Sequence, residues 1–352
     1  MADEFPFTPS MRTICGRDEG ELSKVAQHYG WQKHTTEWEQ IVSDPDIHIV
    51  VIASPGNTHH EIAIAAAQAG KHILCEKPLS ITLAEALEMH RVAEQSRIKA
   101  VVNFNYRRIP AVVMAHNLIA EGKLGDIYHF KGVYQQDWPL DADFPYVWRM
   151  DKAIAGAGSM ADKGSHIVDL ARYLVGEFDE VSGTSEIFVK ERLLPDGSGR
   201  RRTVTTDDAA VFVARFVDGA LGVFETSRMS AGHKNGLWFE VNGSKGSLRF
   251  ELERLNELQV YFTSDPDECQ GFRTVMATQP SHPYISYWWP PGHIIGWEHT
   301  FIHQYYELMK AIADDTRPSP DFYDGMRCQQ VLEAIELAAR QKQWVKVSSL
   351  TG

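Results

Sequence analysis

Two separated stretches carry side chains suited to moving a proton on and off a hydroxyl. The first is Lys71-His72-Ile73-Leu74-Cys75, an apolar strand pattern that runs into Glu76-Lys77-Pro78-Leu79. A lysine at the carboxyl end of a core strand sits partly desolvated, which lowers its pKa toward the range where an ammonium relays a proton. A solvated Glu76–Lys77 pair at a strand end is the competing reading, and Pro78 suits a cis peptide in the exit turn. The second is Ala161-Asp162-Lys163-Gly164-Ser165-His166, where Asp162 and His166, four residues apart, share one face if the helix reaches back that far. A carboxylate beside an imidazole raises its proton affinity and fixes its tautomer, which suits a group that takes an alcohol proton while hydride leaves the carbon. Asp162 as a helix N-cap is the alternative, and Asp169 with Arg172 reads as a helix-surface pair.

A third stretch supplies the rim of a ligand site. Val50-Val51-Ile52-Ala53 is a buried-strand pattern that breaks at Ser54-Pro55-Gly56-Asn57-Thr58 and opens a helix at His59-His60. In an open α/β sheet the ligand lies beyond the carboxyl ends of the strands, so Ser54, Pro55 and Asn57 border a cofactor crevice. A turn with an N-cap accounts for the same residues equally well.

Around these stretches the chain divides by period. From Arg12 to Ala100 short apolar runs alternate with helical patterns: strands at 11–15, 48–53, 72–75 and 100–104, helices at 21–29, 60–69 and 83–94. This is the pattern of parallel strands joined by crossover helices. Beyond about Gly122, period-two runs at 127–136, 211–216, 221–227, 238–241, 247–251 and 258–262 predict a largely antiparallel sheet. Helices are expected at 165–174, 301–313 and 325–341, and Glu191 to Thr203 is the expected mobile loop. The organisation is therefore an α/β domain over residues 1–121 and an α+β domain with a large open sheet over 122–352.

Composition removes other classes. The 352 residues carry a formal charge of -12, which disfavours nucleic-acid partners, and no apolar run reaches the roughly 20 residues that span a bilayer. The four cysteines, Cys15, Cys75, Cys269 and Cys328, lack paired spacing, so neither a zinc knuckle nor a disulfide framework is signalled and a reducing cytoplasm is expected. His293, His299 and His303 could serve a metal hydrolase, but no carboxylate pattern accompanies them.

Taken in order, the strand ending in SPxxxH, then EKPL, NFNYRR at 103–108 and GxxxDKGSHxxDLARYL at 158–174 resemble the Gfo/Idh/MocA oxidoreductase family. Within it the chain is similar to the levoglucosan and glucoside 3-dehydrogenase branch through FNYRRIPAV, QQDW at 135–138 and the HPY to WWPP segment at 282–291. The resemblance implies a Rossmann domain, NAD or NADP, and oxidation of a secondary hydroxyl of a sugar, glycoside or cyclic polyol to a ketone, with C3 the position favoured by that branch. It implies that Lys77, Asp162 and His166 are catalytic. It places Arg17, Ser54, Pro55, Asn57, His60, Glu76, Lys77 and Asn105 at the cofactor, and Tyr106, Arg108, Trp138, Trp148 and Arg149 at the substrate. A homo-oligomer, dimer or tetramer, follows from the open sheet.

Two features depart from the family's pattern. The family opens with a strand, a GxGxxG loop and a helix, and none of these precedes Arg12; Gly156-Ala157-Gly158 follows no buried strand and is no substitute. In the doubly wound order 3-2-1-4-5 that first strand is central, so its neighbours are expected to flank a gap. A reading that starts about thirty residues late, or a damaged copy of the ancestral enzyme, would account for this, and a non-catalytic sugar or nucleotide sensor is the alternative function. The strand after which NAD enzymes place an acidic residue here ends Cys15-Gly16-Arg17-Asp18. Arg17 suits a 2′-phosphate and Asp18 a helix cap, which leaves NAD and NADP open.

Overall fold

The structure, a computed structural model, describes residue 1 and residues 4–352. The irregular stretch expected over residues 1–10 is found over 4–10, residues 2 and 3 lying outside those described. The first half alternates β1 (Thr13–Cys15), α1 (Glu19–Tyr29), β2 (Lys33–Thr35), α2 (Trp38–Ser43), β3 (Ile49–Ile52), α3 (His59–Gln68), β4 (His72–Cys75), α4 (Leu83–Ser96), β5 (Ala100–Val102) and α5 (Pro110–Ala120). The apolar runs of β4 and β5 are buried on both faces, whereas β1, β2 and β3 are only partly covered, and all pairings here are parallel. The strands fall into two sheets, β1–β2 and β3–β4–β5, with no ladder between β1 and β3, where the doubly wound order led us to expect an interruption. Asp18 caps α1 by accepting from the Glu21 N–H at 3.0 Å, the lesser of the two roles its position allowed.

The second half contains β6 (Ile127–Gln135), α6 (Lys152–Ala155), α7 (Ser165–Leu174), β7 (Phe178–Glu186), β8 (Glu191–Leu193), β9 (Arg201–Thr203), β10 (Ala209–Phe216), β11 (Leu221–Ser227), β12 (Gly236–Gly243), β13 (Gly246–Glu251), β14 (Glu257–Phe262), β15 (Arg273–Met276), α8 (Glu298–Ala313), α9 (Phe322–Gln341) and β16 (Val345–Lys346). Nine strands make one sheet in the order β15-β14-β13-β12-β6-β11-β10-β7-β16, antiparallel except for the β6–β11 pair. Strict alternation builds its core face: Ala210, Phe212, Ala214 and Phe216 of β10 point inward, and Val211 and Val213 outward. Inside, Phe212 stacks on Phe224 at 4.4 Å between ring centroids and Phe130 on Phe224 at 5.4 Å. Each such buried ring stabilises the fold by about 1.5–3 kcal/mol. Helix α9 packs against β7 and α7 as well as against α4 and β5, and so holds the large sheet to the parallel one.

Two expectations are corrected, and a third, already disfavoured reading is addressed by His303. Glu191 to Thr203 is a hairpin, β8–β9, rather than a free loop, because Arg192 and the flanking Val204 are buried beneath it. Asp169 and Arg172 are buried, not on the helix surface: Asp169 takes Arg107 at 2.6 and 2.9 Å, and Arg172 takes Glu177 at 2.5 Å and Asp324 at 3.2 Å. His303 is occupied structurally, with one ring nitrogen 2.9 Å from the Arg108 carbonyl and the other accepting from Trp288 Nε1 at 2.9 Å, so it is not free to bind a metal. Among the described residues no helix is long and apolar enough to cross a membrane.

Candidate active site

The turn that bears Asp162 is π-helical, Met160–Gly164, and leads straight into α7. Asp207, just before β10, anchors its start: its carboxylate accepts from the Gly158 N–H at 2.7 Å and the Met160 N–H at 2.8 Å, and its carbonyl from the Ser159 N–H at 2.9 Å. Only glycine fits at 158, since a Cβ there would lie 1.9 Å from the Asp207 carbonyl oxygen. Lys77 leaves the carboxyl end of β4 and reaches this turn. Its Nζ donates to Asp162 Oδ1 at 3.0 Å and to the Asp162 carbonyl at 2.8 Å, and Lys163 Nζ takes Asp162 Oδ2 at 3.1 Å. Burial alone would push the Asp162 carboxyl up, but the two ammoniums override it and hold the group well below the usual carboxylate range.

His166, the second residue of α7 and one turn beyond Asp162, is 5% exposed, with its ring stacked on Tyr106 at 4.3 Å. Among the described residues its ring nitrogens have no hydrogen-bond partner; the Asp162 carboxylate goes to the two lysines instead of to the imidazole the spacing suggested. Burial, with the nearby Lys77 charge adding to it, holds the imidazole well below its ordinary pKa of 6.5, so it is neutral at physiological pH. The Lys77–Pro78 peptide is cis, as the exit turn allowed. Glu76 is a brace for this strand end, accepting from Asn103 Nδ2 at 2.5 Å and the Lys77 N–H at 3.1 Å.

A cavity of about 440 Å³ opens beyond the ends of β3 and β4. Of the residues expected at the site, it gathers Ser54, Pro55, Glu76, Lys77, Trp138, Trp148, Arg149 and Asp162 in its walls. The others stand elsewhere. Arg17 and Asn57 are exposed outside the cavity. His60 faces outward to Glu88 at 2.8 Å, and the histidine of the SPxxxH pattern that turns inward is His59, whose ring nitrogens lie 2.9 Å from the Ser54 carbonyl and 3.1 Å from that of Pro78. Asn105, Tyr106 and Arg108 are supports rather than walls, because their polar atoms are already engaged: Asn105 with Thr300 at 2.7 Å, Tyr106 with Tyr134 at 3.0 Å, and Arg108 with Gln304 at 3.0 Å. Arg228 enters the cavity wall without any local sequence signal; it is fixed by Asp208 at 2.8 Å. Lys163 was readable only as a neighbour of Asp162, and Asp207 carried no signal of its own.

A dinucleotide fits this arrangement at its nicotinamide end, where the turn Ser54 to Gly56, Glu76 and Lys77 meet Trp148 and Arg149 across the cavity. The start of α1 is a poor pyrophosphate cradle, since its exposed N–H groups are capped by Asp18 and flanked by Glu19 and Glu21.

Residues 2–104 match the model of an oxidoreductase family with an NAD-binding Rossmann fold, and residues 112–249 match the GFO/IDH/MocA C-terminal domain. Levoglucosan dehydrogenase of Pseudarthrobacter phenanthrenivorans is 40% identical over 358 residues, covering 98% of this chain and 92% of that protein. Myo-inositol 2-dehydrogenase of Thermotoga maritima is 26% identical over 95% of this chain and 90% of its own length. Among solved structures, an oxidoreductase domain protein from Kribbella flavida superposes with a TM-score of 0.95 at 45% identity, covering 98% of this chain and 92% of that one. A levoglucosan dehydrogenase in complex with NADH and levoglucosan does so with a TM-score of 0.94 at 42% identity, covering 97% and 91%.

Proposed function

Because the chain belongs to the Gfo/Idh/MocA oxidoreductase family, we propose that it is a dehydrogenase that uses NAD to oxidise a secondary hydroxyl of a pyranose, glycoside or cyclic polyol to a ketone, C3 of a pyranose being the first position to test. The observation that carries this reading is geometric: Lys77 and Asp162 meet in the cavity wall, and the buried His166 stands one turn beyond Asp162, behind that wall. When bound, the nicotinamide supplies the hydride acceptor. Lys77 donates to the substrate oxygen and stabilises the negative charge that develops on it as its proton leaves, charge that is taken up into the carbonyl when hydride departs from the carbon. His166 accepts the hydroxyl proton, for which a neutral imidazole is required. Asp162 holds the Lys77 ammonium in place and also pairs with the buried Lys163. Trp138 and Trp148 offer apolar surface to a sugar ring.

The uncovered face of the nine-stranded sheet supports assembly of identical chains, a dimer or tetramer. Val211, Val213, Leu221 and Val223 stand on it side by side, 48%, 38%, 41% and 51% exposed, with Val213 paired to Val223. The catalytic reading is tested by incubating the protein with NAD and a panel of pyranoses, anhydropyranoses and cyclitols carrying deuterium at single ring carbons. Deuterium recovered on the nicotinamide from a sugar carbon, with the matching keto product, is the expected result. Absence of nicotinamide reduction with every member would overturn the reading.

A further inference from the structure

One buried charge is unused by this chemistry. Arg192 on β8 is 1% exposed, and among the ion pairs of the described residues its guanidinium has no carboxylate. It donates instead to backbone carbonyls, through Nη1 to Asp141 at 2.5 Å and Phe144 at 3.3 Å, and through Nη2 to Pro139 at 2.5 Å. All of these belong to the loop that leaves Trp138 and ends at Trp148 and Arg149, and those flanking residues line the same cavity as Lys77. The loop has a small core of its own, in which Tyr146, Met150 and Val204 are buried and Trp138 meets Phe144 edge-on at 5.2 Å. The hairpin holds it further through the Tyr146 N–H to the Leu193 carbonyl at 2.7 Å and through Arg202 to Asp151 at 2.5 Å.

Burying a guanidinium against carbonyls without a direct ion pair is a poor route to stability, and here desolvation outweighs the attraction of the more distant Asp208 and Asp141. What the planar fork does supply is geometry, since its fixed N–H directions tie separate carbonyls into one loop shape. We propose that Arg192 is a positioning residue that latches the 138–149 loop, so that Trp138, Trp148 and Arg149 close one side of the cavity around a bound sugar. The substrate part of this inference rests on the dehydrogenase reading; the latch does not.

The test uses the full chain with Arg192→Met, which keeps length and loses every donor, and Arg192→Lys, which keeps charge and loses the fork. Circular dichroism first establishes that each is folded. Without ligand, cleavage by chymotrypsin at the aromatic residues of 138–148 is expected to be about tenfold faster in Arg192→Met and intermediate in Arg192→Lys, in keeping with the loss of charge-assisted hydrogen bonds. With NAD present, the KM for the sugar is expected to rise about tenfold and kcat to stay within about twofold. Wild-type cleavage rates in both folded variants overturn the latch; accelerated cleavage with unchanged KM overturns its role in closing the cavity around a sugar. If Arg192→Met does not fold, Arg192→Lys decides by the same measurements. Absence of sugar oxidation by the wild type would sink the dehydrogenase reading and still leave the cleavage rates to judge the latch.

Discussion

Lys77 Nζ lies 3.0 Å from Asp162 Oδ1 and 2.8 Å from the same residue's carbonyl oxygen, so a single ammonium joins the end of a core strand to a π-helical turn 85 residues away. The contact crosses from the parallel domain to the large-sheet domain at the cavity. It also gives the Asp162 carboxylate to two lysines, which leaves His166 to act as a neutral imidazole.

The pH dependence of oxidation follows with a definite sign. The proton acceptor must be unprotonated, and burial together with Lys77 lowers the His166 pKa well below 6.5. The rate at low substrate concentration is therefore expected to stay level as pH falls through 6.5 and to decline only below it. Lys77→Met removes a like charge, so in the residual activity that limb should move up toward 6.5. A wild-type acid limb centred at or above pH 7 would contradict the neutral imidazole.

The helix that carries His166 is held by a buried ion pair. Arg107 and Asp169 side chains are 5% and 2% exposed and meet at 2.6 Å, with Asp324 also 3.1 Å from the guanidinium. Asp169→Ala leaves Arg107 with Asp324 alone and is expected to lower unfolding free energy by about 3 kcal/mol. Urea denaturation reads this directly, and a loss below about 1 kcal/mol would mean that Asp324 compensates.

How far this was legible in the sequence depended on the range of the interaction. β10 showed itself because its period matches one buried face, and α7 because its apolar residues recur at helical spacing, although nearly all of its residues are buried. β7 did not, since Asp179, Glu180, Ser182 and Thr184 dilute its apolar residues, and Gly183 is there because a Cβ would lie 2.6 Å from the Cβ of Phe212. Lys77 and Asp162 could be named from local pattern, but their partnership could not, as spacing along one helix pointed Asp162 at His166. The SPxxxH spacing ends on His59, yet His60 was the histidine placed at the cofactor, because which of two neighbouring histidines faces inward depends on where the helix begins. Arg107 with Asp169 and Arg192 with its carbonyls are joined across 62 and up to 53 residues, and no local pattern encodes such pairs.

The proposed contact of Arg17 with a 2′-phosphate makes it the residue at which to test cofactor preference. It is exposed at the end of β1, and Asp18 beside it is engaged as the cap of α1. Arg17→Ala is expected to raise KM for NADP about tenfold by removing a charge-assisted contact to the 2′-phosphate, and to leave KM for NAD within about twofold. Equal effects on both cofactors would remove Arg17 from the adenosine end.

Assembly is expected to use the uncovered sheet face. Val223→Asp places a carboxylate at the middle of the Val211, Val213 and Leu221 patch without touching the core. Light scattering should then report a single chain where the wild type is a dimer or tetramer. A wild type that is monomeric at micromolar concentration, or a variant with unchanged mass, would assign that face another role.

The central claim is that Lys77 and His166 perform the proton chemistry of sugar oxidation, and it is tested most directly by turnover. The initial rate of nicotinamide reduction is measured with saturating NAD and the best sugar of the panel, for the wild type, Lys77→Met and His166→Ala. Each variant is expected to be folded and to turn over about a hundredfold or more slowly, the scale on which removing an acid/base group acts. Wild-type turnover in either folded variant would contradict the role assigned to that residue, and in both it would contradict the account.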